Sequence, residues 1–284
     1  MSGNTENMRQ RIASTKDLAS IVRTMKALAA SKISQYEDSV RSMKEYYRTI
    51  ILGLSVCLNQ QKTITTPFRK TESEQIIGAV VFGSDMGLVG QFNEILSKFV
   101  VKTLAKLSGA QKIWVVGERV YAHLLEENLP LVKLYRVPNS IKAVTPLVGQ
   151  ILRDSQTSPF YIFHNHLVTG ATYEQVVERM LPLDEEWIQK MSSHPWISHK
   201  LPEVLPHFNQ TLSALIHEYL FVSLFKACTE SLAAENASRL AAMQRAEKNI
   251  GELLTDLHQN YHRQRQTSID EELFDIIAGF EGLV

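Results

Sequence analysis

Positions seven apart from Met8 read Met8, Thr15, Val22, Ala29, Tyr36, Met43 and Ile50; four residues after each come Ile12, Ala19, Lys26, Ile33, Val40, Tyr47 and Leu54. Only Thr15 and Lys26 interrupt this apolar or small seam. A seven-residue repeat sustained this long predicts a helix paired along its length with another helix. Asn4 or Thr5 is placed to cap its start, and Gly53 sits near its expected end. Near the other terminus, Leu212, Leu215, Ile216, Tyr219, Val222, Phe225, Leu232, Leu240, Met243, Ile250, Leu253, Leu254, Leu257 and Tyr261 form a second stripe at helical spacing. Ala233, Ala234, Ala237, Ala241 and Ala242 lie among them and let a neighbouring helix approach closely. All nine prolines fall between Pro67 and Pro206, so neither end carries the residue that breaks helix interiors.

Length turns this pattern into a geometric expectation. At about 1.5 Å per residue the first helix spans roughly 80 Å and the last roughly 110 Å. Leaving a middle domain side by side, they run antiparallel, and the last overshoots by roughly 20 residues, or about 30 Å. The overshooting tip carries Ile269, Leu273, Ile276, Ile277, Phe280, Leu283 and Val284. A single apolar helix end in water is costly, so an external partner is expected to enclose it.

The middle reads differently. Ile76–Phe82 and Lys112–Val116 are short β-branched runs, each followed by glycine, with helical candidates at Leu88–Leu107 and Glu118–Glu127. Pro159–Val168 and Tyr173–Leu183 flank Thr169-Gly170 as a strand pair. This order implies a partly parallel, Rossmann-like sheet. Residues 184–207, with Pro195, Pro202 and Pro206, read as an irregular return path, and Asp184-Glu185-Glu186 as a solvated loop. The expected fold class is α/β: a long antiparallel coiled coil of terminal helices (1–60 and 208–284) around a central Rossmann-like domain (61–207).

The formal net charge is zero, which argues against a dedicated nucleic-acid binder. That zero hides a polarity. Residues 1–57 hold nine Lys/Arg against five Asp/Glu, and residues 208–284 six against eleven, so the two helices attract modestly. Cys57 and Cys228 sit in no ligand spacing, which fits a reducing compartment and leaves open a redox pair between two helices. The longest apolar stretch, Tyr219 to Cys228, is interrupted by Lys226 and too short to span a bilayer. The start shows no signal region, so the chain reads as cytosolic, held at any membrane by another subunit.

Candidate chemistry is sparse. The turn Gly83-Ser84-Asp85-Met86-Gly87-Leu88-Val89-Gly90 follows a strand and opens a helix, where dinucleotide enzymes cradle phosphate. Its spacing misses the dinucleotide fingerprint, and a tight turn with Ser84 or Asp85 capping the next helix is the simpler reading. His164 and His166 share one strand face, and His258 and His262 one helix face, but no third ligand lies at a persuasive spacing. No metal, cofactor or catalytic constellation is expected.

Four segments, in three regions of the chain, resemble the gamma subunit of F-type ATP synthases. Ile21–Ile33 reads IVRTMKALAASKI, similar to that family's N-terminal helix motif; Ser84–Asn93 reads SDMGLVGQFN, similar to its Ser-Asp-Arg-Gly-Leu-Cys-Gly segment. Ser238–Asn249 (SRLAAMQRAEKN) and Arg265–Gly279 (RQTSIDEELFDIIAG) are similar to its C-terminal signature. The resemblance implies a non-catalytic rotor shaft inside a hexamer of alternating alpha and beta subunits, with the tip in an apolar bearing. The middle domain would contact the epsilon subunit and the membrane ring of c subunits, at the cytoplasmic face of the plasma membrane, and the chain would not self-associate. By motif position, Met25 and Arg239 are implied in torque contact with beta, Gln266 and Glu272 in the family's polar catch, and Lys32 and Arg265 in weaker contacts.

The chain departs from that pattern at Met86 for Arg, Val89 for Cys, Asp270 for Thr, and Asn249-Ile250-Gly251 for the Asn-Gly-Gly step. The polar catch is therefore expected to be rearranged, and the ending is similar to a divergent branch of alternative ATPases, with proton or sodium as the coupling ion. Two other readings fit the residues alone. A stand-alone nucleotide-binding enzyme predicts a middle domain with nucleotide affinity; a coiled-coil adaptor predicts homodimerisation through the long helices.

Overall fold

The computed structural model describes residues 2–60, 76–155, 157–170, 172–183, 185–194, 196, 200, 202–204 and 208–281, excepting the side chains of 2–4, 185, 275 and 278–281. Asp184, Pro195, Pro206, Leu283, Val284 and the Phe280 side chain therefore lie outside the described set. Two helices carry the terminal repeats: α1 (Ser2–Gln60) and, last in the chain, α6 (Phe208–Glu281). Helix α1 begins at Ser2, so Asn4 and Thr5 lie inside its first turns and do not cap it. It also runs through Gly53 to Gln60. No described helix is long and apolar enough to cross a membrane.

The chain divides into two compact units, and both long helices contribute to each: Met1–Ala29 with Leu240–Val284, and Ala30–Arg239. The larger unit is built on one five-stranded sheet. Its strands are β1 (Ile76–Phe82), β2 (Ala110–Val116), β3 (Leu131–Tyr135), β4 (Phe160–Thr169) and β5 (Thr172–Leu181). They lie in the order β3-β2-β1-β4-β5, with β4–β5 antiparallel and every other pairing parallel. Helices α2 (Phe92–Leu104), α3 (Glu118–Glu126), α4 (Ile141–Asp154) and α5 (Glu185–Ser192) complete the element order.

The two-residue period of the strands decides which core each side chain joins. Ile77, Ala79 and Val81 of β1 point to one face, where Leu96, Val100 and Leu104 of α2 and Val120 and Leu124 of α3 cover them. Val80 and Phe82 point to the other, where Val144, Val148 and Ile151 of α4 pack together with the long helices. There Tyr36, Ile50, Leu54 and Cys57 of α1 meet Leu212, Tyr219, Phe225 and Cys228 of α6. In this unit the paired terminal helices thus take the place of a crossover helix on one sheet face. Both cysteines are free and buried, and burial pushes both thiols up.

Three elements depart from the sequence expectation. Strand β3 and helix α4 lie where no element was assigned, and α5 occupies part of the expected irregular return, including Glu185-Glu186. Helix α4 contains Pro146. The helix continues past Pro146, although the missing N–H forgoes a bond to the Lys142 carbonyl, because Val144, Leu147, Val148 and Ile151 still bury an apolar stripe.

Candidate functional site

In the smaller unit the two helices run antiparallel. Ala19, Val22, Met243 and Ile250 form its buried seam, with Met25, Ala242, Ala246 and Leu254 packed at the edges. The opposite charges of the two helices meet across this seam. Glu247 takes Arg23 at 3.3 Å and Lys26 on its two carboxylate oxygens, and these partners hold its carboxyl below the usual range. Farther along, Arg9 donates to the Tyr261 hydroxyl at 2.9 Å. The pairs Arg9–Tyr261 and Arg23–Glu247 fix one register; continued to Ser2, it reaches about position 268 at 1.5 Å per residue on both helices. The overshoot is therefore nearer a dozen residues than the roughly 20 expected, and the start of α1 at Ser2 accounts for two or three of the difference.

The overshooting residues are unpaired. Ile269, Leu273, Ile276 and Ile277 are exposed, and Phe274, absent from the sequence-derived tip, is the most exposed of all at 68%. On α1, Leu18, Ile21 and Leu28 are also exposed, with Leu28 at 58%. Together with half-buried Met25 they make a second apolar stripe at i, i+3, i+7, i+10 beside the seam. Seven-residue counting passes over this stripe, because it tracks only the positions facing the partner helix. Arg265, Gln266 and Glu272 are exposed and form no hydrogen bond or ion pair with another described residue.

In the larger unit, two of the resembling segments touch. The turn 83–91 lies against α6: Ser238 Oγ donates to the Val89 carbonyl at 2.6 Å, and Ser231 Oγ to the Phe82 carbonyl at 2.9 Å. Phe92 and Val89 pack on Ala234, whose small side chain admits the ring. Inside the turn, Asn93 Oδ1 accepts the Ser84 N–H at 3.0 Å while its Nδ2 donates to Ser84 Oγ at 2.8 Å. Asp85 does not cap the next helix. Its carboxylate accepts Glu118 N–H at 3.0 Å, at the start of α3, and Val137 N–H at 2.9 Å. Gly83 and Gly117 are needed because the turn and α3 crowd together. A Cβ on Gly83 would fall 2.3 Å from Val120 Cγ1, and Gly117 has φ of 116°. The side chains of Ser84, Asp85 and Asn93 and the Phe82 and Val89 carbonyls are thus engaged in packing the turn onto α3 and α6.

Arg239 also points into its own helix, bonding Glu235 Oε1 at 2.6 Å and Asn236 Oδ1 at 3.4 Å. Burial pushes the Glu235 carboxyl up, against the pull of Arg239 and the nearby charge of Lys32. Lys32 itself is half-buried.

One further cluster joins β4 to α6. His164 Nε2 lies 3.1 Å and His166 Nδ1 3.0 Å from the same oxygen of Glu230, Oε2. Lys226 stands 3.8 Å from the other oxygen. Burial raises the Glu230 carboxyl, but the His164 hydrogen bond and the Lys226 charge outweigh it and hold the group below the usual range. The pairing of His164 with His166 follows from strand alternation. Glu230, distant in sequence on another element, left no local signal.

A family profile described as ATP synthase matches residues 4–283. The chain is 25% identical to an ATP synthase gamma chain of Sulfurihydrogenibium sp. (strain YO3AOP1), covering 98% of this chain and 97% of that one. It is 28% identical to one from Pelagibacter ubique (strain HTCC1062), covering 98% and 99%. Among solved structures, a chain of the Euglena gracilis mitochondrial ATP synthase rotor matches with a TM-score of 0.64 at 17% identity, over 95% of this chain and all of that one. A chain of the Tetrahymena thermophila mitochondrial ATP synthase central stalk and c ring matches at 0.57 and 19%, over 80% and 99%. With a profile match along nearly its whole length and relatives aligned end to end, the chain belongs to the ATP synthase family, among its gamma chains.

Proposed function

We propose that this chain is the central rotor shaft of an ion-translocating ATP synthase and carries no catalytic site itself. The observation that supports it best is the apolar surface left on the smaller unit: the stripe Leu18, Ile21, Leu28 and the tip Ile269, Leu273, Phe274, Ile276, Ile277. Such surface on two thin helices demands an enclosing partner. In a gamma chain that partner is the hexamer of alpha and beta subunits, with the tip seated in an apolar bearing. The sheet-bearing domain, taken as 61–207 between shaft segments 1–60 and 208–284, engages the epsilon subunit and the c ring at the cytoplasmic face of the membrane.

Coupling is then mechanical. Ion flow turns the ring and the shaft together, and each orientation of the asymmetric helix pair favours a different conformation of each catalytic site. Met25, at the edge of the exposed α1 stripe, is the residue of the sequence-derived set best placed to press on a beta subunit. Gln266 and Glu272 are free to form the polar catch, Arg239 joins Met25 in the torque contact, and Lys32 and Arg265 make weaker contacts.

ATPase activity of the alpha–beta assembly, with and without this chain, tests the reading. A stable complex with one copy of the chain per hexamer, losing turnover when residues 265–284 are deleted, is expected. Absence of co-purification, with turnover indifferent to the chain, contradicts it.

A further inference from the structure

The cluster on the inner face of β4 belongs to no part of the rotor reading. Two imidazole nitrogens converge on one carboxylate oxygen, and the three ligand atoms lie within 4.8 Å of one another. His164 is buried at 1% exposure, Glu230 is nearly as enclosed, and His166 is 42% exposed at the side chain. We propose that His164, His166 and Glu230 form a divalent-metal site of zinc type that staples β4 to α6.

The donor set carries the assignment. Two neutral imidazoles and a carboxylate suit zinc better than the hard, oxygen-seeking magnesium or calcium. Zinc bonds of about 2.0–2.2 Å place tetrahedral ligand atoms about 3.4 Å apart. The nitrogen–oxygen separations of 3.1 and 3.0 Å already approach that spacing. What remains is for the two nitrogens to draw together, and the half-exposed ring of His166 has the freedom to move. Solvent reaches the site from the His166 side, which supplies an entry route and a water for the fourth position.

The surrounding charges set the strength. Lys226 occupies the opposite Glu230 oxygen at 3.8 Å and is shared with Glu178 at 3.7 Å. Oε2 is thereby left to the histidines, while a cation stays nearby. His164 Nδ1 is buried without a hydrogen-bond partner among the described residues. Metal-bound histidines ordinarily donate that second N–H, which fixes the ring and raises affinity. Both features place the site among moderate binders that come and go, unlike the closed four-ligand structural sites.

The test uses the untagged full-length chain, titrated with Zn2+ against a chromogenic chelator and, separately, with Co2+ while visible absorption reports coordination geometry. One equivalent is expected to bind, with a tetrahedral Co2+ spectrum and a rise in thermal midpoint. His166→Ala, at a half-exposed position that leaves the core intact, is expected to weaken binding at least about 10-fold and abolish the thermal rise. Glu230→Gln should do the same, while His258→Ala on α6 leaves binding unchanged. No stoichiometric binding, or binding and thermal rise unaltered in His166→Ala, would overturn the assignment.

Discussion

Ser238 Oγ donates to the Val89 carbonyl at 2.6 Å, joining α6 to the glycine turn after β1. Both residues are buried, and the bond lies beside Phe92 packed on Ala234. Ser238→Ala would leave the carbonyl only the longer Phe92 N–H bond at 3.4 Å, a loss of about 0.5–1.5 kcal/mol. Phe92→Ala would open a cavity at the same contact and cost about 3–5 kcal/mol. Denaturant midpoints of the two variants check this, and the larger loss should belong to Phe92→Ala.

Arg239 presents a different problem, because it is both an implied torque contact and the partner of buried Glu235. Removing one member of a buried ion pair strands the other, at about 3–5 kcal/mol. Arg239→Ala should therefore destabilise the larger unit, and Glu235→Gln in the same chain should recover most of the loss. The sign with pH follows from burial, which already raises the Glu235 carboxyl. Without Arg239 that carboxyl rises further, so the single variant should regain stability as pH falls and the acid becomes neutral. If rotation-coupled turnover stays low after stability is recovered, Arg239 acts through the partner; if turnover recovers too, its role is structural.

Glu247 gives the smaller unit a pH dependence of the opposite sense. Hydrogen bonds and charge from Lys26 and Arg23 hold its carboxyl below the ordinary value of 4.5. A depressed acid contributes stability above its unfolded pKa and loses it as pH falls through the folded value. Helix pairing, followed by amide exchange of α1 residues near Lys26, should weaken below about pH 4.5. Glu247→Gln should flatten that fall, and added salt should shrink it, since the pair is partly exposed.

Gly251 lies in the interior of α6, and a Cβ built there meets no atom within 4 Å. Gly251→Ala should therefore stabilise the helix by about 0.5–1 kcal/mol. Thermal unfolding of the full chain checks the sign. If α6 must bend here during turnover, ATPase of the assembled complex should fall even as stability rises.

The long helices were legible because proline exclusion and a seven-residue apolar repeat are local signals that no tertiary contact overrides. The partly parallel character of the sheet followed from alternating runs and glycines, whereas its strand order did not. Helix α4 was hidden by Pro146, whose lost bond is offset by the apolar stripe buried around it. Asp85 was assigned to the wrong helix for a similar reason. Capping by sequence looks a few residues ahead, whereas its real partners are the N–H groups of Glu118 and Val137. Glu230 was invisible beside His164 and His166 because a strand and a helix far apart in sequence bring them together. The stripe of Leu18, Ile21 and Leu28 was passed over because it faces away from the helix pair, into solvent.

A rotor shaft turns relative to the hexamer that encloses it. The most direct measurement attaches a bead to the chain through Lys106→Cys, an exposed position in a protein whose native cysteines are buried, within a complex immobilised by its beta subunits. On adding ATP the bead is predicted to rotate stepwise in one direction, and to stop when residues 265–284 are removed. A complex that hydrolyses ATP while the bead shows only undirected fluctuation would contradict the shaft assignment.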